Sequence, residues 1–182
     1  LGHVIDLVAP PGKPVHAVHL GGGAFTLARY TAATRPRSTQ QVVERDGALV
    51  QLVRRELPLD PNARIRVRSL DAREGLAKVP DGWADLVIAD VFSGARTPAH
   101  LTSAEFVTEA RRVVDAVREA GARERVYYCA AAEEMLAVRA ADPSAEIALT
   151  RTTLAPARPV LLEAVRPRWL NYRFSLVDRA LA

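Results

Sequence analysis

Short apolar runs alternate with segments of helical period along this chain, and the alternation predicts a parallel α/β sheet. Residues 15–20 are the first strand, and Gly21, Gly22 and Gly23 follow it directly. Residues 24–34 have the spacing of a helix, with Phe25, Leu27, Ala28 and Ala32 as its apolar positions. A short second strand is expected at 41–44, ending in Glu44. The helix after it, 48–57, turns Leu49, Val50, Leu52 and Val53 to the core, and Pro58 and Pro61 stop it. A third strand at 65–70 runs into Asp71, and a short helix at 72–78 follows. The nearly all-apolar run 84–89 has the character of a central strand, and it ends at Asp90. A helix is expected from Ser103 to about residue 119, with Thr102 or Ser103 as N-cap, Glu105 in its first turn and Gly121 beyond its end. Residues 126–130 are a fifth strand and 133–141 a helix, while 146–150 and 172–177 are two more strands that close the sheet antiparallel. The breaker cluster Pro10, Pro11, Gly12 and Pro14 sets the segment 4–8 apart.

Composition fits one domain. At 182 residues, 49% apolar and 25% charged, the chain is long enough to bury a core without disulfides or metals. No apolar run nears the roughly 18 residues of a membrane span, so no membrane partner is expected. The single cysteine, Cys129, excludes an intramolecular disulfide and a multi-cysteine zinc site. With no signal-type opening segment, the expected compartment is the reducing cytoplasm. Leu1 in first place is read as marking a piece of a longer chain. The net charge of +4 comes almost entirely from arginine, Lys13 and Lys78 being the only lysines. These arginines are spread along the chain, and only 5% of residues are aromatic. There is neither a basic block nor a stacking platform, so nucleic acid is not an expected partner.

Open α/β sheets bind ligands at the carboxyl ends of their strands, near the switch in strand order. Here strand one delivers three glycines, strand two Glu44, strand three Asp71 and strand four Asp90. Glycines let the backbone approach a ligand and open a helix N-terminus towards it. Glu44, 21 residues beyond Gly23, is a candidate acceptor for both hydroxyls of a ribose. Asp71 can accept from an adenine amino group, although an acid there also caps the next helix. Asp90 can hold an ammonium group or act as a base. The dinucleotide fingerprint G-x-G-x-x-G would need glycine at position 26, which is Thr26. A single nucleoside with an amino-acid tail, as in S-adenosylmethionine, fits better than NAD.

The runs His19-Leu20-Gly21-Gly22-Gly23, Val42-Val43-Glu44-Arg45-Asp46, Asp71-Ala72-Arg73 and Asp85-Leu86-Val87-Ile88-Ala89-Asp90 resemble the spermidine synthase family. The resemblance covers residues 15–114, and more loosely the C-terminal strands. It is greatest to the actinobacterial spermidine-synthase-like proteins, which carry a similar Ser-Gly-Ala-Arg-Thr-Pro stretch, here at 93–98. It implies a Rossmann-like class I methyltransferase fold: a mainly parallel seven-stranded sheet flanked by helices, as one domain over 1–182. Residues 1–14 would be a remnant of an N-terminal β segment. It further implies that Glu44 binds the ribose, Asp71 with Ala72 the adenine, Gly21, Gly22 and Gly23 the ligand's approach, and Asp90 the sulfonium end. The implied ligand or co-substrate is S-adenosylmethionine or its decarboxylated form, with no metal.

The departures from that family fall on the polyamine side. Aminopropyl transfer needs a group that holds a protonated amine and takes a proton from it. The family uses Asp-x-x-Asp, whereas this chain has Asp90-Val91-Phe92-Ser93, and Ser93 is neither base nor counter-charge. The acid after the glycine loop is replaced by Ala24, the N-terminal β-domain is expected to be missing or reduced to the first residues, and Arg96 stands in the loop that would cover a polycation. The expectation is a transferase-type protein that binds a small-molecule nucleoside, without true polyamine aminopropyl transfer. A methyltransferase with a non-polyamine acceptor and a non-catalytic nucleoside-binding or interaction module are the alternatives. A homodimer is also expected.

The remaining candidates read more plainly. His16 and His19, three apart on one strand, face opposite sides as packing residues rather than a metal pair. His100, in the loop after strand four, is a candidate to reach the ligand. Cys129 is a buried thiol, and Tyr127 and Tyr128 are packing residues. Arg151, Arg158, Arg166, Arg168 and Arg173 form a solvated face, with Trp169 as a candidate interface anchor.

Overall fold

The computed structural model describes residues 1–92, 97–114, 126–129, 140, 146–152 and 159–162, with the backbone alone for the strands beyond residue 125 and for His3, Val4 and Leu7. The chain, read from sequence as one domain, divides into two compact units: Leu1–Leu101 with Glu109–Val117, and Thr102–Thr108 with Arg118–Ala182. Each carries its own sheet, whose ladders close within that unit.

The first unit is built on β1 (His16–Leu20), β2 (Thr39–Val43), β3 (Ile65–Arg68) and β4 (Leu86–Ala89), ordered β3-β2-β1-β4 and parallel throughout. Parallel neighbours need crossovers, and the helices α2 (Thr26–Thr34), α3 (Gly47–Glu56) and α4 (Ala72–Ala77) supply them. Ala17, Val18, His19 and Leu20 are all buried, as a strand covered on both faces requires. The register aligns Arg68, Val43, Leu20 and Ala89 in one row across the sheet. The next residue after three of them is Glu44, Gly21 and Asp90 respectively.

The core between sheet and helices gathers Phe25, Ala28, Val42, Val50 and Val53. Phe25 reaches it from a left-handed backbone at φ 61°, where its N–H closes a turn on the Gly22 carbonyl at 2.7 Å. Leu52, expected in the core, is 44% exposed. At about 100° per residue, Leu49, Val50 and Val53 share a face from which Leu52 points well away. Asp46 caps α3 by accepting from Leu49 N–H at 3.0 Å. The end of α5 (Ala104–Val114) fixes the approach to β4, since the carbonyls of Arg112 and Val113 accept from Gly82 and Ala84.

Residues 2–7, expected as part of a β remnant, instead form the helix α1 (Gly2–Leu7). Tertiary contacts override the β-branched residues there. Ile5 has no exposed surface, and Tyr30 donates its hydroxyl proton to the Asp6 carboxylate. Arg35, 1% exposed, sends its guanidinium to the carbonyls of Ile5, Asp6, Ala9, Pro10 and Lys13 at 2.7–3.1 Å.

In the second unit β5 (Val126–Cys129) pairs parallel with β6 (Glu146–Thr152), and β6 pairs antiparallel with β7 (Pro159–Leu162). The stretch 146–150, expected antiparallel, is therefore parallel to its predecessor; the sixteen residues between them are long enough for a crossover. The antiparallel partner is β7, within the Arg- and Pro-rich stretch. Of the expected helix at 133–141 only residue 140 is described, as helical, and the expected strand at 172–177 lies outside the described residues.

Candidate functional site

The chain runs outward from β1 through β2 to β3, then returns to place β4 on the other side of β1. The switch in strand order therefore falls between β1 and β4, where their carboxyl ends leave a crevice. A cavity of about 230 Å³ lies there, lined by Gly21, Gly22, Gly23, the first turn of α2, His19, Asp90 and Phe92.

The glycines are required by the packing around them. Gly21 donates its N–H to the Val43 carbonyl at 2.8 Å and adopts φ +87°. A Cβ at Gly21 would collide with the Asp90 carbonyl oxygen. A Cβ at Gly22 would stand 2.9 Å from Val42 Cγ1 and 3.1 Å from Phe25 Cε1. Gly23, at φ +49°, faces open space.

Glu44 ties this loop to β2. Its Oε2 accepts from Gly22 N–H at 2.9 Å and Gly23 N–H at 3.1 Å, and its Oε1 accepts from Asp46 N–H at 2.9 Å. Burial works to raise its pKa, but these donors from Asp46, Gly22 and Gly23 together hold it below the usual glutamate value. A carboxylate has about four acceptor positions, so one remains for an outside donor.

Asp71 and Ala72 lie at the end of β3 and are not among the cavity-lining residues. Asp71 is the N-cap of α4, accepting from Arg73 N–H at 2.9 Å, and its Oδ2 accepts from His100 Nε2–H at 3.1 Å. Burial again opposes ionisation, and the Arg73 amide and the His100 ring outweigh it, lowering the pKa. Ala72 is buried in the first turn of that helix. His100 thus meets Asp71 rather than the cavity.

Asp90, exposed, is pinned through its N–H to the Leu20 carbonyl at 2.8 Å. Ala24, also exposed, lines the cavity. Ser93 and Arg96 lie outside the described residues, as do Arg158, Arg166, Arg168, Trp169 and Arg173. Tyr127, Tyr128, Cys129 and Arg151 are placed only as backbone positions of β5 and β6.

The two histidines of β1 occupy different surroundings. His16 stacks on Trp83, with ring centroids 4.9 Å apart. His19 is 2% exposed and hydrogen-bonded to Gln40. Among the described residues no group of three or more His, Cys, Asp or Glu could hold a metal ion, and no helix is long and apolar enough to cross a membrane.

Fold and crevice together define a Rossmann-like α/β domain whose candidate ligand site is the crevice at the β1–β4 switch point. No protein-family model matches the chain. It is 29% identical over 110 residues to the polyamine aminopropyltransferase of Vibrio vulnificus, covering 59% of this chain and 36% of that protein. It resembles the structure of a probable spermidine synthase from Corynebacterium glutamicum at 35% identity and a TM-score of 0.52, covering 60% of this chain and 38% of that one. A spermidine synthase solved with the transition-state analogue AdoDATO matches at 21% identity and a TM-score of 0.52, over 62% of this chain and 39% of that one, which shows the shared fold. The relatives are spermidine-synthase-like proteins with a class I methyltransferase-like fold, the family that the motif residues resemble. The chain spans a little over a third of the length of the relatives it matches.

Proposed function

We propose that this chain binds an S-adenosylmethionine-type nucleoside at the β1–β4 crevice, as part of a cytoplasmic spermidine-synthase-like transferase. The observation that carries this reading is the coupling of Glu44 to the glycine loop. One carboxylate holds Gly22 and Gly23 in place and keeps an acceptor position for a ribose hydroxyl. The crevice beside it is lined by Asp90 and has room for a nucleoside tail. The AdoDATO complex of a protein with this fold supports the same ligand class.

A sulfonium nucleoside supplies an activated alkyl carbon. In this reading the loop backbone and Glu44 fix the sugar, and Asp90 faces the tail and stabilises positive charge. Proton acceptance from an amine nucleophile is the weak point, because Ser93 stands where the family's second acid would be. We therefore propose an acceptor other than a polyamine. Methyl transfer, which draws largely on alignment and proximity, is the second reading that Ser93 favours.

Calorimetry with S-adenosylmethionine, its decarboxylated form and methylthioadenosine tests the proposal. Binding of at least one is expected. Binding of none overturns it.

A further inference from the structure

Beneath the glycine loop lies a buried polar atom without a partner. His19 Nδ1 is the one buried side-chain nitrogen or oxygen among the described residues that makes no hydrogen bond. The other ring nitrogen, Nε2, is 2.8 Å from Gln40 Oε1. The orientation of Gln40 is set in turn, because its Nε2 donates at 3.0 Å to the Ala28 carbonyl, which can only accept. The Gln40 oxygen therefore faces His19, and the ring nitrogen opposite it must be the donor. The proton sits on Nε2, and Nδ1 is left as a bare acceptor. Burial pushes the His19 pKa down, which keeps the ring neutral and that lone pair available.

An unpaired acceptor in a packed interior is costly, and each such group in a folded protein calls for an explanation. His19 forms part of the wall of the cavity that also holds Asp90. The described lining residues include one carboxylate and no lysine or arginine. Such a wall suits a group that donates hydrogen bonds and carries positive charge.

We propose that His19 is a ligand-binding residue whose Nδ1 accepts a hydrogen bond from an amine N–H on the ligand's tail, beside the Asp90 carboxylate. This inference rests on the nucleoside reading above and narrows it to tails that bear an amine. Gln40 is the positioning residue that fixes the tautomer. His19 lines the cavity and its Nδ1 is buried without a partner, so the ligand's amine reaches this nitrogen by a local displacement of the cavity wall.

Two substitutions separate the two ring nitrogens. His19→Gln keeps a donor near the Nε2 position for Gln40 and removes the Nδ1 acceptor. His19→Asn keeps an acceptor near Nδ1 and gives up the bond to Gln40. Calorimetric titration compares S-adenosylhomocysteine, which has an amine on its tail, with methylthioadenosine, which has none. The expected result is a loss of about tenfold or more in S-adenosylhomocysteine affinity for His19→Gln, in line with a hydrogen bond to a charged donor. Methylthioadenosine affinity should stay within about twofold, and His19→Asn should recover part of the loss. Equal losses for both ligands, or no loss for either, overturn the role of His19 while leaving the nucleoside reading in place. Failure of the unsubstituted protein to bind methylthioadenosine and S-adenosylhomocysteine overturns both. Circular dichroism of each variant shows whether it is folded, and if His19→Gln does not fold, the nitrogen NMR shift of His19 Nδ1 in the unsubstituted protein replaces it: an unprotonated nitrogen whose signal moves on binding S-adenosylhomocysteine and not on binding methylthioadenosine supports the role, and a protonated or unmoved Nδ1 contradicts it.

Discussion

Glu44 Oε2 accepts the Gly22 N–H at 2.9 Å, so the carboxylate proposed for a ribose is already a structural member of the loop that would receive the ligand. Two consequences follow for Glu44→Gln. An amide offers one oxygen in place of two, so nucleoside affinity should fall by ~1.5–3 kcal/mol, the scale of a hydrogen bond to a charged group. Stability should lose part of its acid dependence as well. The folded-state pKa of Glu44 is depressed, so its contribution is complete above the ordinary glutamate value and is lost as pH falls through the lowered one. Denaturation curves collected from neutral to acid pH should be flatter for the variant. Parallel curves would show that the loop does not depend on this charge.

Gly21 and Gly23 should respond very differently to alanine. Both have positive φ, but a Cβ at Gly21 meets the Asp90 carbonyl while one at Gly23 meets nothing within 4 Å. Gly23→Ala should cost roughly 1–2 kcal/mol, the penalty of a left-handed alanine. Gly21→Ala must in addition push β4 away from β1, and should either unfold the domain or abolish ligand binding. Thermal melts of the two variants side by side test this, and similar melting temperatures would contradict it.

Arg35 carries an unusual share of the N-terminal segment. Its guanidinium serves five carbonyls and is 1% exposed. Removing it leaves several part-buried acceptors unpaired at ~1–3 kcal/mol each, and Arg35→Ala should cost on the order of 3 kcal/mol or more. Arg35→Lys should recover little, because an ammonium has three donors and no planar fork. Urea midpoints give the measure. A loss under ~1 kcal/mol would mean that the segment is held by Ile5 and Tyr30 instead.

The sequence announced the strand ends better than it announced the contacts made there. Alternation of apolar runs with helical spacing found β1 to β5 within a few residues, and their ends put Gly21, Glu44, Asp71 and Asp90 on the carboxyl side of the sheet. Periodicity reports which face a residue occupies and not what its polar atoms meet. Arg35 next to Pro36 has only the local character of a turn, since nothing nearby in sequence tells a buried guanidinium from a solvated one. The partner of His19 is Gln40, 21 residues away on the neighbouring strand, and only the register of β1 on β2 brings them together. His100 meets Asp71 because the 3₁₀ turn at Ala99–Leu101 packs near α4. Nothing local announces the helix at Gly2–Leu7, since valine and isoleucine are weak helix formers and the burial of Ile5 outweighs that propensity.

The Asp71–His100 pair sets up a competition that binding can report. Asp71 Oδ1 is engaged by the Arg73 amide and Oδ2 by His100 Nε2–H. If an adenine amino group uses Asp71, it must share or replace the His100 bond. His100→Ala should then leave methylthioadenosine affinity unchanged or improved, with a stability cost of ~1 kcal/mol or less for a partly exposed pair. Asp71→Ala should cost ~1 kcal/mol for the lost cap and weaken nucleoside binding too. A tenfold loss of affinity in His100→Ala would instead put the imidazole itself on the ligand.

The proposal of a non-polyamine acceptor turns on Ser93. An amine at neutral pH is protonated, and its attack on an alkyl carbon needs a neighbouring base. With serine at that position, aminopropyl transfer to putrescine should run ~10²–10⁴-fold below the rate that a second acid would support. Ser93→Asp restores the Asp-x-x-Asp spacing from Asp90 and should raise that rate, provided that Arg96 does not neutralise the new carboxylate. The double variant Ser93→Asp with Arg96→Ala removes that complication. Release of methylthioadenosine from decarboxylated S-adenosylmethionine is the assay for all three proteins. Ordinary turnover by the unsubstituted chain would return it to polyamine synthesis. A rise confined to the aspartate variants would show that the serine is what turns this site away from polyamines.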